Sequence, residues 1–208
     1  MPLSKAHKEQ THRRVVQTAA RAFRAQGIKG VGVAEVMREA GLTQGGFYAH
    51  FDSKDALVAA ACAEGFQESS NPLLVAMQEA EPGNAVPAYI RGYLSRSHRD
   101  HPETGCVIAS LGQEIGRGSP ETRRAFTRTL QSYIAKLAQY AEGDTEEARE
   151  DAMYVLMSGA AGALLMSRAV DDPALSDRIL RAARRFYLDA CGAPSPAHSE
   201  ATIPPPSS

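Results

Sequence analysis

The chain contains few cysteines, and their spacing excludes the structures that cysteine usually supports. Its 208 residues include Cys62, Cys106 and Cys191, widely separated and without a CxxC pair or a Cys/His cluster. An odd and scattered set of this kind excludes a disulfide framework and a structural zinc site, and it fits a reducing compartment. We therefore expect no bound metal and no cofactor.

Long apolar runs and alternating patterns are also missing. The amino terminus is basic but has no apolar core of the kind that a signal peptide needs, and no stretch approaches the roughly twenty apolar residues of a membrane span. No segment alternates apolar and polar side chains as a strand does, whereas helical periodicity recurs with glycine and proline at the breaks. These absences predict an all-α, cytoplasmic protein with no membrane partner.

Charge is nearly balanced overall but uneven along the chain. The formal net charge is -1, yet residues 1–60 hold nine Lys or Arg against five Asp or Glu. A basic end is expected where a protein faces nucleic-acid phosphates. Lys5 and Lys8 are the best candidates for phosphate contact, as a flexible arm. Arg21 and Arg24 lie deeper along the predicted first helix and can belong to a solvated face.

The most informative pattern is VAEVMREAGLTQGGFYAHF, which runs from Val33 to Phe51. A short amphipathic segment, a glycine break and a second short segment follow one another, which is the order of a helix-turn-helix. Gly41 supplies the positive φ that a sharp turn needs, and Thr43 can cap the second helix. Phe47 and Phe51 lie four residues apart, so both can dock onto the first helix.

The residues left outside the second helix form a candidate DNA-recognition surface. Small side chains let the backbone approach a groove, Gln44 can pair with the N6 and N7 edge of adenine, and the Ala49 methyl can touch a thymine methyl. Tyr48 suits phosphate contacts. The competing interpretation is a helical hairpin inside a bundle, with glycines for tight packing. The predicted DNA-binding residues are Thr43, Gln44, Gly45, Gly46, Tyr48, Ala49, His50, Lys54, Lys5 and Lys8.

The segment AGLTQGGFYAHFDSKDAL resembles the signature of the tetracycline-repressor (TetR) family of bacterial transcriptional regulators. The resemblance extends back through AARAFRAQGIKGVGVAEVMREAG and covers about the first sixty residues. It implies a homodimer that grips a palindromic double-stranded operator, with a helical carboxy-terminal body that binds a small-molecule effector. Gly32 stands where many members carry Ser or Thr, and Gly45 and Gly46 replace bulkier side chains.

Caps and composition divide the chain into three parts. Residues 1–52 form a predicted three-helix bundle with the helix-turn-helix, residues 53–192 a larger helical ligand-binding and dimerisation body, and residues 193–208 a Pro- and Ser-rich disordered tail. Ser53 is expected to cap a long helix that ends near Pro72 and links the two folded parts. Further helices are predicted for 72–80, 85–99, 104–116, 120–141, 146–169 and 173–190.

The middle helices supply a candidate effector pocket, because methionine and tyrosine side chains adapt to varied apolar ligands. The same apolar stripes also fit a plain core. Cys106 is expected in the first turn of its helix, with His98 and His101 nearby, which makes it a candidate redox sensor; a buried structural cysteine is the alternative. The predicted ligand- or redox-sensing residues are Cys106, Phe66, Met77, Tyr89, Tyr93, Leu111, Tyr133, Met153 and Met157.

A run of small residues near the carboxyl end predicts a dimer interface. MSGAAGALLMS, from Met157 to Ser167, has five consecutive Gly or Ala residues that let two helices come close, and the final helix offers an apolar stripe beside it. The alternative is an intramolecular core. The predicted interface residues are Gly159, Ala160, Gly162, Ala163, Met166, Ile179, Ala183 and Phe186.

Together these patterns predict a dimeric ligand- or stress-responsive transcriptional regulator. We expect a repressor that is released from its operator by a small molecule or by modification of Cys106. One alternative is a small helical thiol enzyme with Cys106 as nucleophile and His98 or His101 as base, although no third orienting residue stands at a telling position. Another is a helical adaptor for a second protein, whose binding would respond weakly to salt, unlike binding to DNA phosphates.

Overall fold

The computed structural model of the protein describes residues 5–191, and helices make up most of this span. No strand occurs within it, which confirms the predicted all-α class. The predicted tail at 193–208 lies outside the described residues. The helices are α1 (Lys5–Gln26), α2 (Val33–Glu39), a 3₁₀ helix (Gln44–Ala49), α3 (Lys54–Gln78), α4 (Ala85–Tyr93), α5 (Arg96–Asp100), α6 (Val107–Gly116), α7 (Pro120–Ala138), α8 (Glu146–Ala169) and α9 (Pro173–Ala190).

Side-chain caps determine where several helices begin. Each capping oxygen accepts a backbone N–H two or three residues further on, which satisfies a donor that the helix itself cannot pair. Because Ser95 caps α5, the helix predicted for 85–99 is divided into α4 and α5. The capping residues are Ser53 of α3, Ser95 of α5, Ser119 of α7, Thr145 of α8 and Asp172 of α9.

Helix α3 passes through Pro72, where the sequence predicted a break. It runs for 25 residues from the amino-terminal bundle into the body. The proline removes the N–H that would bond to the carbonyl of Glu68. The helix continues because α4 and α7 pack along it and bury its apolar side chains.

The amino-terminal bundle combines α1, α2 and the 3₁₀ helix with the first turns of α3. Gly41 has φ +71°, so it makes the sharp turn that the sequence predicted. Phe47 and Phe51 are both buried, and their ring centroids lie 5.7 Å apart in a stacked arrangement. The 3₁₀ helix that carries Phe47 packs on α2, whereas the Phe51 ring stacks on His12 of α1 with ring centroids 4.6 Å apart. Both rings are buried as expected, but Phe51 packs on α1, which the prediction of docking onto α2 did not include.

The body surrounds the long helix α3. Helix α7 packs on α3, while α8 and α9 pack on each other and α8 also contacts α7. Helix α6 contacts α1, α3 and α8, so it lies between the amino-terminal bundle and the rest of the body. This position makes α6 a second connection between the two parts, besides the continuous helix α3.

Within residues 5–191, α8 is long and apolar enough to cross a membrane by length and composition alone. The expectation that no stretch approaches a membrane span is therefore wrong for this helix. A core helix of a folded domain meets the same criterion. In this structure, α8 buries Leu156 and Leu164 against its neighbours.

Candidate functional site

The recognition segment, Gln44–Ala49, is a 3₁₀ helix and not the α-helix that the sequence predicted. The Thr43 side chain makes no capping hydrogen bond, so its predicted capping role is wrong. Tyr48 has 77% of its side-chain surface exposed, and Gln44 and Ala49 are also exposed. These three side chains remain predicted DNA contacts.

The two glycines of the recognition segment differ in their surroundings. A methyl group added at Gly45 would meet no atom within 4 Å, so the backbone there is open to close approach. A methyl group added at Gly46 would lie 3.6 Å from Cε of Met37, on the side facing α2. Gly45 therefore belongs to the open surface, whereas Gly46 packs against α2.

His50, at the end of the recognition segment, is half-buried. Its Nδ1 atom is shielded without a hydrogen-bond partner within the described residues, and its ring centroid lies 6.1 Å from that of His12. Burial lowers the pKa of His50, and the neighbouring His12 and Lys8 lower it further. His50 is therefore neutral near pH 7 and contributes no cation for a phosphate contact.

Lys5 and Lys8 lie on the first turns of α1 and not on a flexible arm. Both are exposed, and the Lys5 ammonium is 4.0 Å from the Glu9 carboxylate. Together with His12 and Arg13 they border a groove of about 910 Å³ between α1, the recognition segment and α3. Their exposure leaves the predicted phosphate contacts sterically possible.

The Lys54 side chain is half-buried, and hydrogen bonds within the chain engage its ammonium, which argues against its predicted role as a phosphate ligand. Its Nζ donates to the carbonyl oxygens of Ile28 and Val31, at 2.7 Å each. Both acceptors belong to the turn between α1 and α2. Lys54 therefore ties α3 to the turn that precedes the helix-turn-helix.

Replacing Lys54 with methionine should lower the free energy of unfolding by about 1–3 kcal/mol, because two half-buried carbonyl oxygens lose their donor. The slope of log affinity against log salt should stay unchanged, since no phosphate contact is lost. Lys8→Met is the matched control and should reduce that slope by about 1 without affecting stability. Urea unfolding and salt titrations of DNA binding measure both quantities. A reduced slope for Lys54→Met would restore the original assignment.

Arg24, which the sequence suggested to be solvent-facing, is buried and connects three segments. Only 1% of its side chain is exposed. Its Nη1 donates to the carbonyl oxygens of Gly65, at 3.1 Å, and Gly105, at 3.0 Å, and its Nη2 pairs with the Glu68 carboxylate. Arg24 thus joins α1 to α3 and to the turn before α6.

The candidate ligand-sensing residues are brought together, but as a packed core. All nine are buried, and the two grooves that reach some of them lie at the surface of the body. The groove of about 810 Å³ touches Met77 and Met153 between the far ends of the helices, and that of about 310 Å³ touches Phe66 and Tyr133. Within residues 5–191, no three His, Cys, Asp or Glu side chains gather to hold a metal ion.

Three buried tyrosines line the centre of this core. The Tyr133 hydroxyl donates to the Tyr89 hydroxyl at 3.1 Å, and Tyr89 donates to Sδ of Met157 at 2.7 Å. The Tyr93 hydroxyl has no hydrogen-bond partner within the described residues. Burial raises the pKa of Tyr93 well above its ordinary value, and the adjacent Cys106 adds to this rise. These phenols are therefore neutral.

Cys106 is buried and is the residue that precedes α6. Its backbone N–H donates to Nε2 of His98 at 2.9 Å, while Nδ1 of His98 lies 2.7 Å from the Tyr93 carbonyl and donates to it. Burial lowers the pKa of His98 to about 4, so the ring is neutral. Because its one accepting nitrogen is already used, His98 cannot act as a base for the thiol. His101 bonds elsewhere, to the Ser97 carbonyl.

The small-residue run of α8 has two faces. Ala160 is 1% exposed, and a methyl group added at Gly159 would collide with the Tyr187 hydroxyl at 1.7 Å, so both residues face α9 and the core of the same chain. Their assignment to a dimer interface is wrong. A methyl group added at Gly162 would meet nothing within 4 Å.

The outer face of α8 and α9 carries most of the large exposed apolar side chains in residues 5–191. Of the predicted interface residues, Met166 is 57% and Phe186 66% exposed. Ala163 and Ala183 are half-buried against the core, and Ile179 is half-buried. Tyr154, Val155 and Leu165 were not predicted for this face, although they share a side of α8 with Met166, and Leu175 belongs to the apolar stripe expected on the final helix. The exposed apolar side chains are Tyr154, Val155, Leu165, Met166, Leu175 and Phe186.

Two regions of the chain match known sequence families. Residues 15–61 match the bacterial regulatory proteins of the tetR family, and residues 83–183 match the tetracyclin repressor-like C-terminal domain. The HTH-type transcriptional repressor NemR of Escherichia coli K12 is 25% identical over 147 residues, which are 69% of this chain and 73% of NemR. The uncharacterized HTH-type transcriptional regulator YerO of Bacillus subtilis is 39% identical over 137 residues, 62% of this chain and 47% of YerO.

Solved structures share the fold. The reduced form of E. coli NemR superposes with a TM-score of 0.71 at 21% identity, over 86% of this chain and 96% of the NemR chain. A TetR-family regulator from Agrobacterium tumefaciens gives 0.69 at 21% identity, over 88% of this chain and 98% of its own.

Proposed function

Because the chain belongs to the TetR family of bacterial transcriptional regulators, we propose that it is a homodimeric repressor of the cytoplasm that binds a palindromic operator. Residues 1–52 bind the DNA, and residues 53–192 provide the dimer interface and receive the signal. The open face of the recognition segment carries this proposal. There Tyr48 is 77% exposed, and a methyl group added at Gly45 would meet no atom within 4 Å.

The surface around the recognition segment supports DNA binding. Lys5, Lys8, Arg13 and Arg14 are exposed on α1, so cations surround a segment whose small residues admit close approach to a groove. Gln44 stands at the start of the segment, where its amide can pair with an adenine edge. Cationic side chains then position the protein, and Gln44 contributes to the choice of sequence.

The exposed apolar face of α8 and α9 supports the homodimer. Val155, Leu165 and Met166 on α8 stand beside Phe186 on α9, and apolar side chains of this size are normally covered. A second copy can cover them with the same face, which gives a two-fold interface. Two recognition segments are then held at a fixed separation, as a palindromic site requires.

The repressor role is supported by the similarity to NemR, which is a transcriptional repressor. We propose that a small molecule or modification of Cys106 releases the operator. Cys106 ends the turn whose Gly105 carbonyl accepts a hydrogen bond from Arg24, so a change there reaches α1 directly. The effector enters the packed core or one of the two grooves beside it.

The chain is a regulator and not an enzyme, because its relatives and both matched families are transcriptional regulators. This overturns the thiol-enzyme alternative, in which His98 would have been the base; the lone pair of His98 instead accepts the N–H of Cys106. An adaptor that binds only protein would leave the basic surface of α1 without a role.

The decisive experiment selects genomic DNA with the purified protein and measures its affinity for the selected site by fluorescence anisotropy. Gln44→Ala should relax the preference at one base pair in each half-site by about 1–3 kcal/mol. Gln131→Ala, a matched change of an exposed glutamine on α7, should leave specificity unchanged. The proposal fails if no palindromic sequence is enriched, or if binding responds only weakly to salt.

A further inference from the structure

Helix α6 is attached to the amino-terminal bundle near both of its ends. At its amino end, the Gly105 carbonyl accepts a hydrogen bond from Arg24 of α1 at 3.0 Å. Towards its carboxyl end, the Glu114 carboxylate accepts the backbone N–H groups of Ile28 at 3.2 Å and Lys29 at 3.1 Å. Arg24 belongs to α1, and Ile28 and Lys29 belong to the turn that follows α1.

The turn between α1 and α2 is therefore held from two sides. Glu114 of α6 accepts two of its N–H groups, while Lys54 of α3 donates to the carbonyls of Ile28 and Val31. Only Gly32 separates Val31 from the start of α2. A shift of α6 must move this turn, and with it the helix-turn-helix, unless the Glu114 hydrogen bonds break.

The amino end of α6 is also attached to the body. Arg168 of α8 donates to the carbonyls of Arg99 and His98 and to the hydroxyl of Ser110 on α6. His98 in turn accepts the N–H of Cys106. The turn that precedes α6 is thus bonded to the body on one side and to Arg24 on the other.

We propose that Arg24 and Glu114 are positioning residues for DNA binding, and that they carry a displacement of the turn at Gly105 and Cys106 to the helix-turn-helix. The expected consequence, an altered affinity for the operator, rests on the proposed function. The mechanical link itself can be measured without DNA. The proposal requires that the two ends of α6 respond together, since a rigid helix of 10 residues joins them.

In the Gly105→Ala variant, the added methyl group displaces the turn because it collides with neighbouring atoms. The added methyl group would lie 2.8 Å from Nη2 of Arg168, 3.1 Å from Cδ2 of His98 and 3.2 Å from the His101 carbonyl oxygen. Arg168 cannot simply swing away, because its guanidinium is held by three hydrogen bonds. The turn must move instead, and the Gly105 carbonyl moves with it.

A double-mutant cycle tests the transmission of this displacement. Gly105→Ala should weaken affinity for the selected operator about tenfold in the wild-type background, but about threefold when Glu114→Ala has removed the far attachment. Glu121→Ala is the matched control, an exposed glutamate on α7, and should preserve the tenfold effect. Equal factors in the Glu114→Ala and Glu121→Ala backgrounds would overturn the proposal.

Amide hydrogen exchange tests the same link without DNA. Gly105→Ala should accelerate exchange at Ile28 and Lys29 about tenfold, while the Ile134 amide in α7 keeps its wild-type rate. If Gly105→Ala does not fold, Arg168→Lys loosens the same turn and should give the same response. Unchanged exchange at Ile28 and Lys29 in the folded variant would refute the link even where DNA binding is confirmed. A positive exchange result with no selected operator would instead refute only the proposed function.

Discussion

Replacing Arg24 with methionine is expected to lower the free energy of unfolding by about 3–5 kcal/mol, the range found when one partner of a buried ion pair is removed. The guanidinium is 1% exposed and donates to the carbonyls of Ala20, Gly65 and Gly105 as well as to Glu68. Methionine fills much of the volume but supplies no donor. Urea unfolding followed by circular dichroism measures the loss.

Arg21→Met provides the matched control, because Arg21 pairs with the same Glu68 carboxylate at 2.6 Å but has a side chain that is 60% exposed. Removing an exposed partner should cost less than about 1 kcal/mol. Equal losses for the two variants would mean that the buried backbone contacts of Arg24 contribute nothing. The contrast between the two arginines therefore isolates the effect of burial.

The loss caused by Arg24→Met should also depend on pH. Burial raises the pKa of Glu68, but hydrogen bonds from Arg21 and Arg24 outweigh it and hold the pKa below its ordinary value. A carboxylate with a lowered pKa contributes stability that is complete above its unfolded-state pKa of about 4.3 and is lost as the pH falls through the folded-state value. The difference between wild type and Arg24→Met should therefore narrow below about pH 4.

Local chemistry made part of the recognition site predictable. The turn at Gly41 follows from the need for positive φ, and its φ is +71°. The burial of Phe47 and Phe51 was expected from their four-residue spacing, which places two side chains on one side of an α-helix. Both inferences use residues that are neighbours in the sequence. Both rings are buried, but Phe51 lies beyond the 3₁₀ helix Gln44–Ala49, and residues three apart share a side in such a helix, so the spacing argument chose the right residues on the wrong helix geometry.

Non-local partners made other roles unpredictable. Arg21 and Arg24 are alike in the sequence, but two of the three carbonyls that Arg24 bonds lie 41 and 81 residues away. The acceptors of Lys54 lie 26 and 23 residues before it. No local sequence pattern identifies a basic side chain that will bond to backbone carbonyls, because every residue has a backbone carbonyl. Such contacts become visible only when packing brings the segments together.

The small-residue run of α8 does not reveal from sequence which of its faces is buried. Glycine and alanine occupy consecutive positions on both faces of the helix, so composition cannot say which face turns outward. In the structure, Ala160 is buried within the chain while Met166 and Val155 are exposed. Large exposed side chains, and not the small ones, therefore indicate the surface that we propose a second copy to cover.

Phe186→Asp is expected to convert the dimer into a monomer and to weaken operator affinity by at least about a hundredfold. Phe186 is 66% exposed on α9, next to the apolar face of α8. Burying a carboxylate there without a partner costs several kcal/mol in each subunit. A monomer presents one recognition segment, so it loses the gain of about 10²–10⁴ that comes from linking two binding sites.

Val75→Asp is the matched control for the Phe186 prediction, because Val75 is an apolar residue of α3 that is 47% exposed and lies outside the α8 and α9 face. Sedimentation should give a particle of 22.3 kDa for Phe186→Asp and twice that mass for Val75→Asp and wild type. Amide exchange in the core should be the same in all three, which separates dissociation from unfolding. If Phe186→Asp stays dimeric, then α8 and α9 are not the interface. If it dissociates yet keeps wild-type affinity, then a single subunit suffices for binding and the palindromic operator is wrong.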